Sequence, residues 1–304
     1  MDLSAKTLII IAGPTAVGKS SLAMGVAQQL GCPIISADSR QIYREMTIGT
    51  AKPSIEDLKA VTHHFINELS VTENYSAGRY EREVLARLKL IYQEHDYAVM
   101  CGGTGLYLRA VREGLDAFPD INDEIIHTVQ EEYECNGLKH LQQELIQYDP
   151  AYAERVDMQN ARRLIRAIAV VRQSGTTYSA HLQGQAAKRP WKEMPILLTM
   201  ERSKLTQRIN RRVDLMMHHG LVDEVRGLKT HEQKRPLLTV GYQEIFDFLN
   251  GSIDLPQAVE LIKIHTRQYA KRQMTWFRKY GTWTIYHEQS VEKSTSAILQ
   301  QCRL

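Results

Sequence analysis

Gly13-Pro14-Thr15-Ala16-Val17-Gly18-Lys19-Ser20 follows directly on the apolar run Thr7-Leu8-Ile9-Ile10-Ile11-Ala12. A β-branched run that ends in a glycine-rich turn reads as strand, loop and helix. The spacing G-x-x-x-x-G-K-S is that of a phosphate-binding loop. Glycines let consecutive backbone N–H groups curl around an anion, the helix that follows presents its positive end, and Lys19 adds a point charge. The hydroxyl of Ser20 suits Mg²⁺, which makes Ser20 the candidate metal ligand and Mg²⁺ the expected cofactor. All eight residues from Gly13 to Ser20 are therefore candidates for holding a diphosphate or polyphosphate. The loop alone leaves open whether that phosphate is transferred, hydrolysed or expelled.

Outward from the loop the pattern alternates. A strand at 7–12 and a helix from 18 to about 30 lead to a second strand at 33–37. A helix near 76–94 precedes the buried run Tyr97-Ala98-Val99-Met100-Cys101, after which Gly102-Gly103-Thr104 opens another helix. Met194 to Met200 reads as a return to the sheet, followed by helices at about 203–229, 240–249 and 255–279 and a last strand near 282–286. Strands alternating with helices predict an α/β fold, a P-loop NTPase-like parallel sheet covered by helices. From 118 to 190 the pattern is helical and shows no convincing strand, so this segment is read as a helical insertion domain in a core of 1–117 and 191–304.

The bulk numbers exclude other classes. In 304 residues no apolar run reaches the ~20 residues of a membrane span, and the first strand begins too early for a signal peptide. Cys32, Cys101, Cys135 and Cys302 lie far apart and form no C-x-x-C pair, which fits a reducing cytoplasm rather than a disulfide or zinc framework. The net charge of +3 conceals a segregation. Residues 116–149 carry nine acidic residues and one basic, 151–189 carry seven basic and two acidic, and 261–280 carry six basic and no acidic. Concentrated basic segments in a nearly neutral chain predict a surface that faces a polyanion; solvated helix faces are the plainer alternative.

In a parallel sheet, phosphate sites lie at the carboxyl ends of strands. Ser36-Ala37-Asp38-Ser39-Arg40-Gln41 and Gly102-Gly103-Thr104-Gly105 share that placement with the first loop. Asp38 there is a general base, a water-mediated magnesium ligand, a reader of a base, or only a turn cap. Thr104 either caps its helix or holds a substrate atom. Arg208, Arg211 and Arg212 lie at i, i+3 and i+4 and can clamp a leaving diphosphate. Arg162, Arg163 and Arg166 repeat that spacing in the insert, with Leu164, Ile165, Ile168 and Val171 supplying the apolar side. Lys263, Arg267, Lys271, Arg272, Arg278 and Lys279, interleaved with Tyr269, Trp276 and Phe277, suit single-stranded or loop RNA, although the aromatics alone are more often core. His63 and His64 can open a strand, and no third ligand accompanies them.

Read together, Gly13 to Ser20, Ser36 to Tyr43, Ile48-Gly49-Thr50-Ala51-Lys52-Pro53-Ser54, Tyr75-Ser76-Ala77 and Gly102 to Leu108 resemble the bacterial tRNA dimethylallyltransferases. The Arg208–Met216 stretch, Gly220-Leu221-Val222-Asp223-Glu224-Val225, Gly241-Tyr242-Gln243-Glu244 and Thr266 to Arg278 extend the likeness over nearly the whole chain. The resemblance implies transfer of a dimethylallyl group from dimethylallyl diphosphate to the exocyclic amine of the adenosine just 3′ of the anticodon. That is position 37 of tRNAs reading codons that begin with U. It implies that residues 13–20 hold the donor's diphosphate, that Asp38 is the general base, that Thr104 contacts the target nucleotide, and that an arginine of Arg208/Arg212 binds diphosphate. Asp38, Ser39, Arg40, Gln41, Thr104, Arg162, Arg163, Leu164, Ile165 and Arg166 are then the expected tRNA contacts, centred on the anticodon stem-loop. The insert departs from the pattern: Met158-Gln159-Asn160 stands where many members read Pro-Asn-Asp, and Ala169 where they carry Glu. A cytoplasmic monomer with no membrane partner is expected. The rival readings are a prenyltransferase acting on a free adenine nucleotide, a small-molecule kinase built on the same loop, and a nucleotide-gated RNA-binding module.

Overall fold

The computed structural model describes residues 3–182, 184, 187–287 and 290–302. Among the described residues six strands, β1 (Thr7–Ala12), β2 (Ile34–Ser36), β3 (His63–His64), β4 (Tyr97–Gly102), β5 (Lys192–Thr199) and β6 (Thr284–His287), form one sheet in the order β3-β2-β4-β1-β5-β6. Every pairing is parallel, as the alternation of strand and helix predicts. β1 sits inside the sheet and is covered on both faces, which is why its sequence is apolar throughout rather than alternating. Leu8, Ile10 and Ala12 join a core with Tyr80, Val84, Leu88 and Leu108. Ile9 and Ile11 face the other way, onto Leu22, Ala23, Val26 and Ile298. Each leucine, isoleucine and valine among them is buried and contributes about 2 kcal/mol from leaving water.

The helices carry the second layer on each face. Helix Ala77–Glu94 buries Tyr80, Val84, Leu88 and Ile91 along one stripe, and the Ser76 hydroxyl caps it by accepting from the Arg79 N–H. Helix Leu255–Lys279 starts at a capping box made by Asp254 and Gln257. The single helix expected at 203–229 is two, Arg202–His218 and Leu221–Gly227, because Gly220 adopts φ +93° and ends the first. The sequence reading also lacked helix Val291–Cys302, whose Ile298 completes the core beneath Val26.

The chain divides into two compact units, one of residues 1–112 with 188–304, which holds the sheet, and one of 113–187. In the second, helix Asp123–Tyr148 turns at Gly137 (φ +75°) and is followed by Pro150–Ala153, Ala161–Ser174 and Tyr178–His181. Val129, Leu141, Leu145, Leu164, Ile165 and Ile168 make its own core. The buried Asp149 carboxylate accepts from the Tyr152 and Ser179 N–H groups and the Ser179 hydroxyl, stitching two helix starts together. Among the described residues no helix is long and apolar enough to cross a membrane.

Candidate active site

Register brings three loops to one end of the sheet. Ala12 of β1 pairs with Gly102 of β4, and Cys101 of β4 pairs with Ser36 of β2. The phosphate loop, the Asp38 turn and Gly102–Thr104 therefore leave adjacent strand ends side by side. In the phosphate loop Gly18 opens helix Lys19–Leu30 at φ +105°, and Ala16 sits at φ +65°, where a Cβ costs about 1 kcal/mol. Gly13 is held close: a Cβ there would lie 2.7 Å from the Leu198 carbonyl oxygen. Lys19 Nζ folds back to donate to the Pro14 carbonyl at 2.7 Å. Ser20 is exposed at the start of the helix.

Asp38 forms a tight side-chain turn. Its Oδ1 accepts from the Arg40 N–H at 2.8 Å and the Gln41 N–H at 3.4 Å. Thr104 Oγ1 accepts from the Ser39 N–H at 3.1 Å, and the Thr104 N–H donates to the Ala37 carbonyl at 3.2 Å, so the β2 and β4 loops are tied directly. A Cβ on Gly102 would collide with the Ala37 backbone. The Thr104 hydroxyl thus serves the Asp38 turn. Gln41 Nε2 donates to the Thr50 and Ala51 carbonyls at 3.2 and 3.3 Å, and Arg212 reaches the same Thr50 oxygen at 3.5 Å.

Two of the three clustered arginines face the site. Arg208 Nη1 donates to the Val17 carbonyl of the phosphate loop at 3.2 Å, and Arg212 lies in the field of Asp38 and Lys19. Arg211 is exposed. Burial pushes the Lys19 amine down to about 8, with Arg212 adding to the fall and Cys101 and Asp38 opposing it. Burial likewise lowers Arg212, against the pull of Asp38, and raises the Cys101 thiol to about 11. Cationic groups crowded and desolvated in this way are disfavoured until an anion joins them. An exposed hydroxyl at Ser20 beside an anion cradle matches the donor set of Mg²⁺, which takes one or two protein oxygens and completes its shell with phosphate and water.

The family model described as IPP transferase matches residues 41–280. The chain belongs to the IPP transferase family. It is 44% identical over 272 residues to the tRNA dimethylallyltransferase of Christiangramia forsetii, covering 90% of each chain. It is 41% identical over 298 residues to tRNA dimethylallyltransferase 1 of Bacteroides fragilis, covering 98% of this chain and 99% of that one. Among solved structures it resembles the full-length tRNA isopentenylpyrophosphate transferase of Bacillus halodurans (TM-score 0.72, 31% identity, 98% and 97% covered). It also shares the fold of a eukaryotic dimethylallyltransferase solved acting on tRNA (TM-score 0.80, 23% identity, 97% and 77% covered).

The remaining residues expected to serve an IPP transferase divide by burial. Arg162, Arg163 and Arg166 are exposed on helix Ala161–Ser174. Leu164 and Ile165, expected to touch tRNA, are 0% and 6% exposed within the core of their unit and offer it no surface. Asn160 caps that helix by accepting from the Arg163 N–H at 3.3 Å, so Asn replaces Asp there without loss of the cap. On helix Leu255–Lys279, Phe277 is core and Trp276 packs against it, while Tyr269 is 38% exposed. Lys263 pairs with Asp214 at 2.7 Å and Arg267 donates to Asn210 at 2.8 Å; Lys271, Arg272, Arg278 and Lys279 remain exposed. His64 accepts no proton near neutrality, since burial and then Arg87 push it down to about 4. Among the described residues the one cluster spaced for a metal ion is Glu132, His140 and Glu144. The Arg172 guanidinium already lies on both carboxylates, at 2.7 Å from each.

Sequence reasoning missed two site residues that this IPP transferase uses structurally. Glu224 accepts from three successive backbone N–H groups, Thr47 (3.0 Å), Ile48 (2.7 Å) and Gly49 (3.1 Å), and from the Tyr242 hydroxyl at 2.6 Å. It fixes the loop whose Thr50 carbonyl receives Gln41 and Arg212. Gln273 is the second; it shares a helix stripe with Ala270 and Phe277, which the structure shows to be buried.

Proposed function

We propose that this chain transfers a dimethylallyl group from dimethylallyl diphosphate to the exocyclic amine of the adenosine 3′ of the anticodon in tRNA. The observation that carries the reading is the placement of a carboxylate, Asp38, on the strand end next but one to a phosphate loop, with Arg212 and Lys19 in the same field. Membership of the IPP transferase family and full-length likeness to bacterial tRNA dimethylallyltransferases support the same conclusion.

The chemistry follows from the charges. As the allylic C–O bond breaks, its electron pair leaves with the diphosphate and positive charge develops on the prenyl fragment. Backbone N–H groups of the 13–20 loop, apart from Pro14, which has none, and Thr15, whose N–H is held by Gln273, favour the first charge where it forms, together with Lys19, Arg208 and Arg212. Mg²⁺, held by Ser20 and diphosphate oxygens, would supply further neutralisation of the leaving group. The adenine amine is a weak nucleophile because its lone pair feeds the ring. Proximity and a base therefore complete the step: the lone pair forms the new C–N bond and the N–H proton passes to Asp38. Oδ1 is committed to the turn, so Oδ2 is the receiving atom. Thr104, tied to that turn by the Ser39 N–H, is assigned the contact to the incoming base. Water must be excluded, or it captures the cation. The base must also leave its stack, at a cost of a few kcal/mol that phosphate contacts from Arg162, Arg163, Arg166, Lys271 and Arg272 offset.

These exposed arginines favour tRNA over a free nucleotide, which needs no such surface. The protein is read as a cytoplasmic monomer. The test is mass spectrometry of tRNA nucleosides after incubation with the donor. A prenyl mass on adenosine is expected. Label moving from the γ-phosphate of ATP to a small acceptor, with unmodified tRNA, would reverse the reading.

A further inference from the structure

Gln273 joins three pieces of the fold that this reaction has to hold in register. Its side chain is buried, 7% exposed, on helix Leu255–Lys279. Oε1 accepts from the Thr15 N–H of the phosphate loop at 2.9 Å, and Nε2 donates to the Gly103 carbonyl at 2.9 Å. One turn further on, the Trp276 indole lies against Gly105, where any Cβ would run into the ring. A Cβ on Gly103 would collide with Gln273 Nε2 itself. The helix is therefore pressed onto the second loop at two points and latched to the first through the same amide. The polarity of that latch is fixed, because Thr15 N–H can only donate and the Gly103 carbonyl can only accept. Only a side chain that accepts at one end and donates at the other serves both. The residues just before it, Lys271 and Arg272, are exposed, and Thr104, just after Gly103, holds the Asp38 turn through Ser39.

We propose that Gln273 is a positioning residue that locks the diphosphate loop and the Gly102–Thr104 loop to the basic helix, so that RNA seated on Lys271 and Arg272 sets the distance between leaving group and base. This rests on the prenyl-transfer reading. Gln273 touches no reacting atom; it acts through Thr15 and Gly103.

Gln273→Glu and Gln273→Ala separate this role from mere packing. The ionised glutamate keeps the Thr15 bond but sets an oxygen against the Gly103 oxygen; protonation restores a donor. Burial beside a carbonyl brings that protonation toward neutral pH. With dimethylallyl diphosphate and tRNA, kcat of Gln273→Glu is expected to fall roughly 10- to 100-fold at pH 8, the loss of one to two buried hydrogen bonds. It should recover relative to wild type as pH approaches 6. Gln273→Ala is expected to show the same order of loss at both pH values, and the Tm of both variants should stay in the folded range. A wild-type rate for Gln273→Glu at pH 8, or equal losses in the two variants at every pH, overturns the proposal. If the wild type itself transfers no prenyl group, the functional reading fails instead. The latch is then read from inorganic diphosphate binding, where Gln273→Ala should weaken affinity about tenfold and an unchanged affinity overturns it.

Discussion

Asp38 commits one carboxylate oxygen to two backbone N–H groups, and the proposed reaction draws on the other. Asparagine can make the same turn with its carbonyl oxygen but cannot take a proton. Asp38→Asn should therefore keep the fold and diphosphate affinity while lowering kcat by roughly 10²-fold or more, the usual contribution of a general base; single-turnover transfer at near wild-type rate would remove Asp38 from the chemistry. Lys19 behaves oppositely, as a charge the empty protein resists. Its folded value of about 8 lies below the free side chain's 10.5, so between those pH values the unfolded chain holds more protons and stability climbs as pH rises. An arriving diphosphate reverses the preference. Calorimetry with inorganic diphosphate at pH 8.5, in buffers of different ionisation heat, should register proton uptake and an affinity that falls above pH 8. Lys19→Met should bind no diphosphate yet melt higher than the wild type, because the buried charge is gone. No proton uptake would place the amine away from the ligand.

At the scale of elements, the loop 47–50 is held from outside. Three amides converge on Glu224, so this segment is as ordered as a helix start without being one. Glu224→Gln turns an acceptor-only group into one that must aim N–H at N–H. A loss of about 2 kcal/mol in urea unfolding and faster hydrogen exchange at Ile48 and Gly49 are expected; unchanged exchange would mean that the loop is held elsewhere. Much of the architecture was legible. The apolar run at 7–12, the loop spacing and the glycine pairs each have one physical reading, and they place the three site loops on strand ends. The break at Gly220 was readable too, since a glycine after a long periodic run is a stop signal. Gln273 and Glu224 were not. A polar residue inside a basic helix looks solvated until the packing shows which stripe it occupies, and a carboxylate's amide partners lie 175 or more residues away in the chain. Helix Val291–Cys302 follows the last predicted strand, where polar composition hid the buried Ile298.

At the scale of the whole molecule, the exposed arginines of helix Ala161–Ser174 are where sequence and structure agree on charge but differ on neighbours. Leu164 and Ile165 sit between those arginines in sequence, and the 3.6-residue period turns them inward. Arg163→Ala should weaken tRNA binding and make the slope of log affinity against log salt shallower by about 0.7–0.9, one phosphate contact. A slope unchanged within error would assign the contact to another face.

The 113–187 unit has a further property that follows from how its charge is written along the chain. The carboxylate-rich 116–149 stretch precedes the guanidinium-bearing 151–187 one, so its first long helix, Asp123–Tyr148, is negative and its later one, Ala161–Ser174, is positive. Such a body carries a permanent dipole moment. In the field of an approaching nucleic acid it feels a torque before it feels contact, and tumbling is biased toward the cationic side facing in. Raising ionic strength would then slow productive capture more than the modest +3 overall charge suggests, because what is screened is orientation and not only attraction.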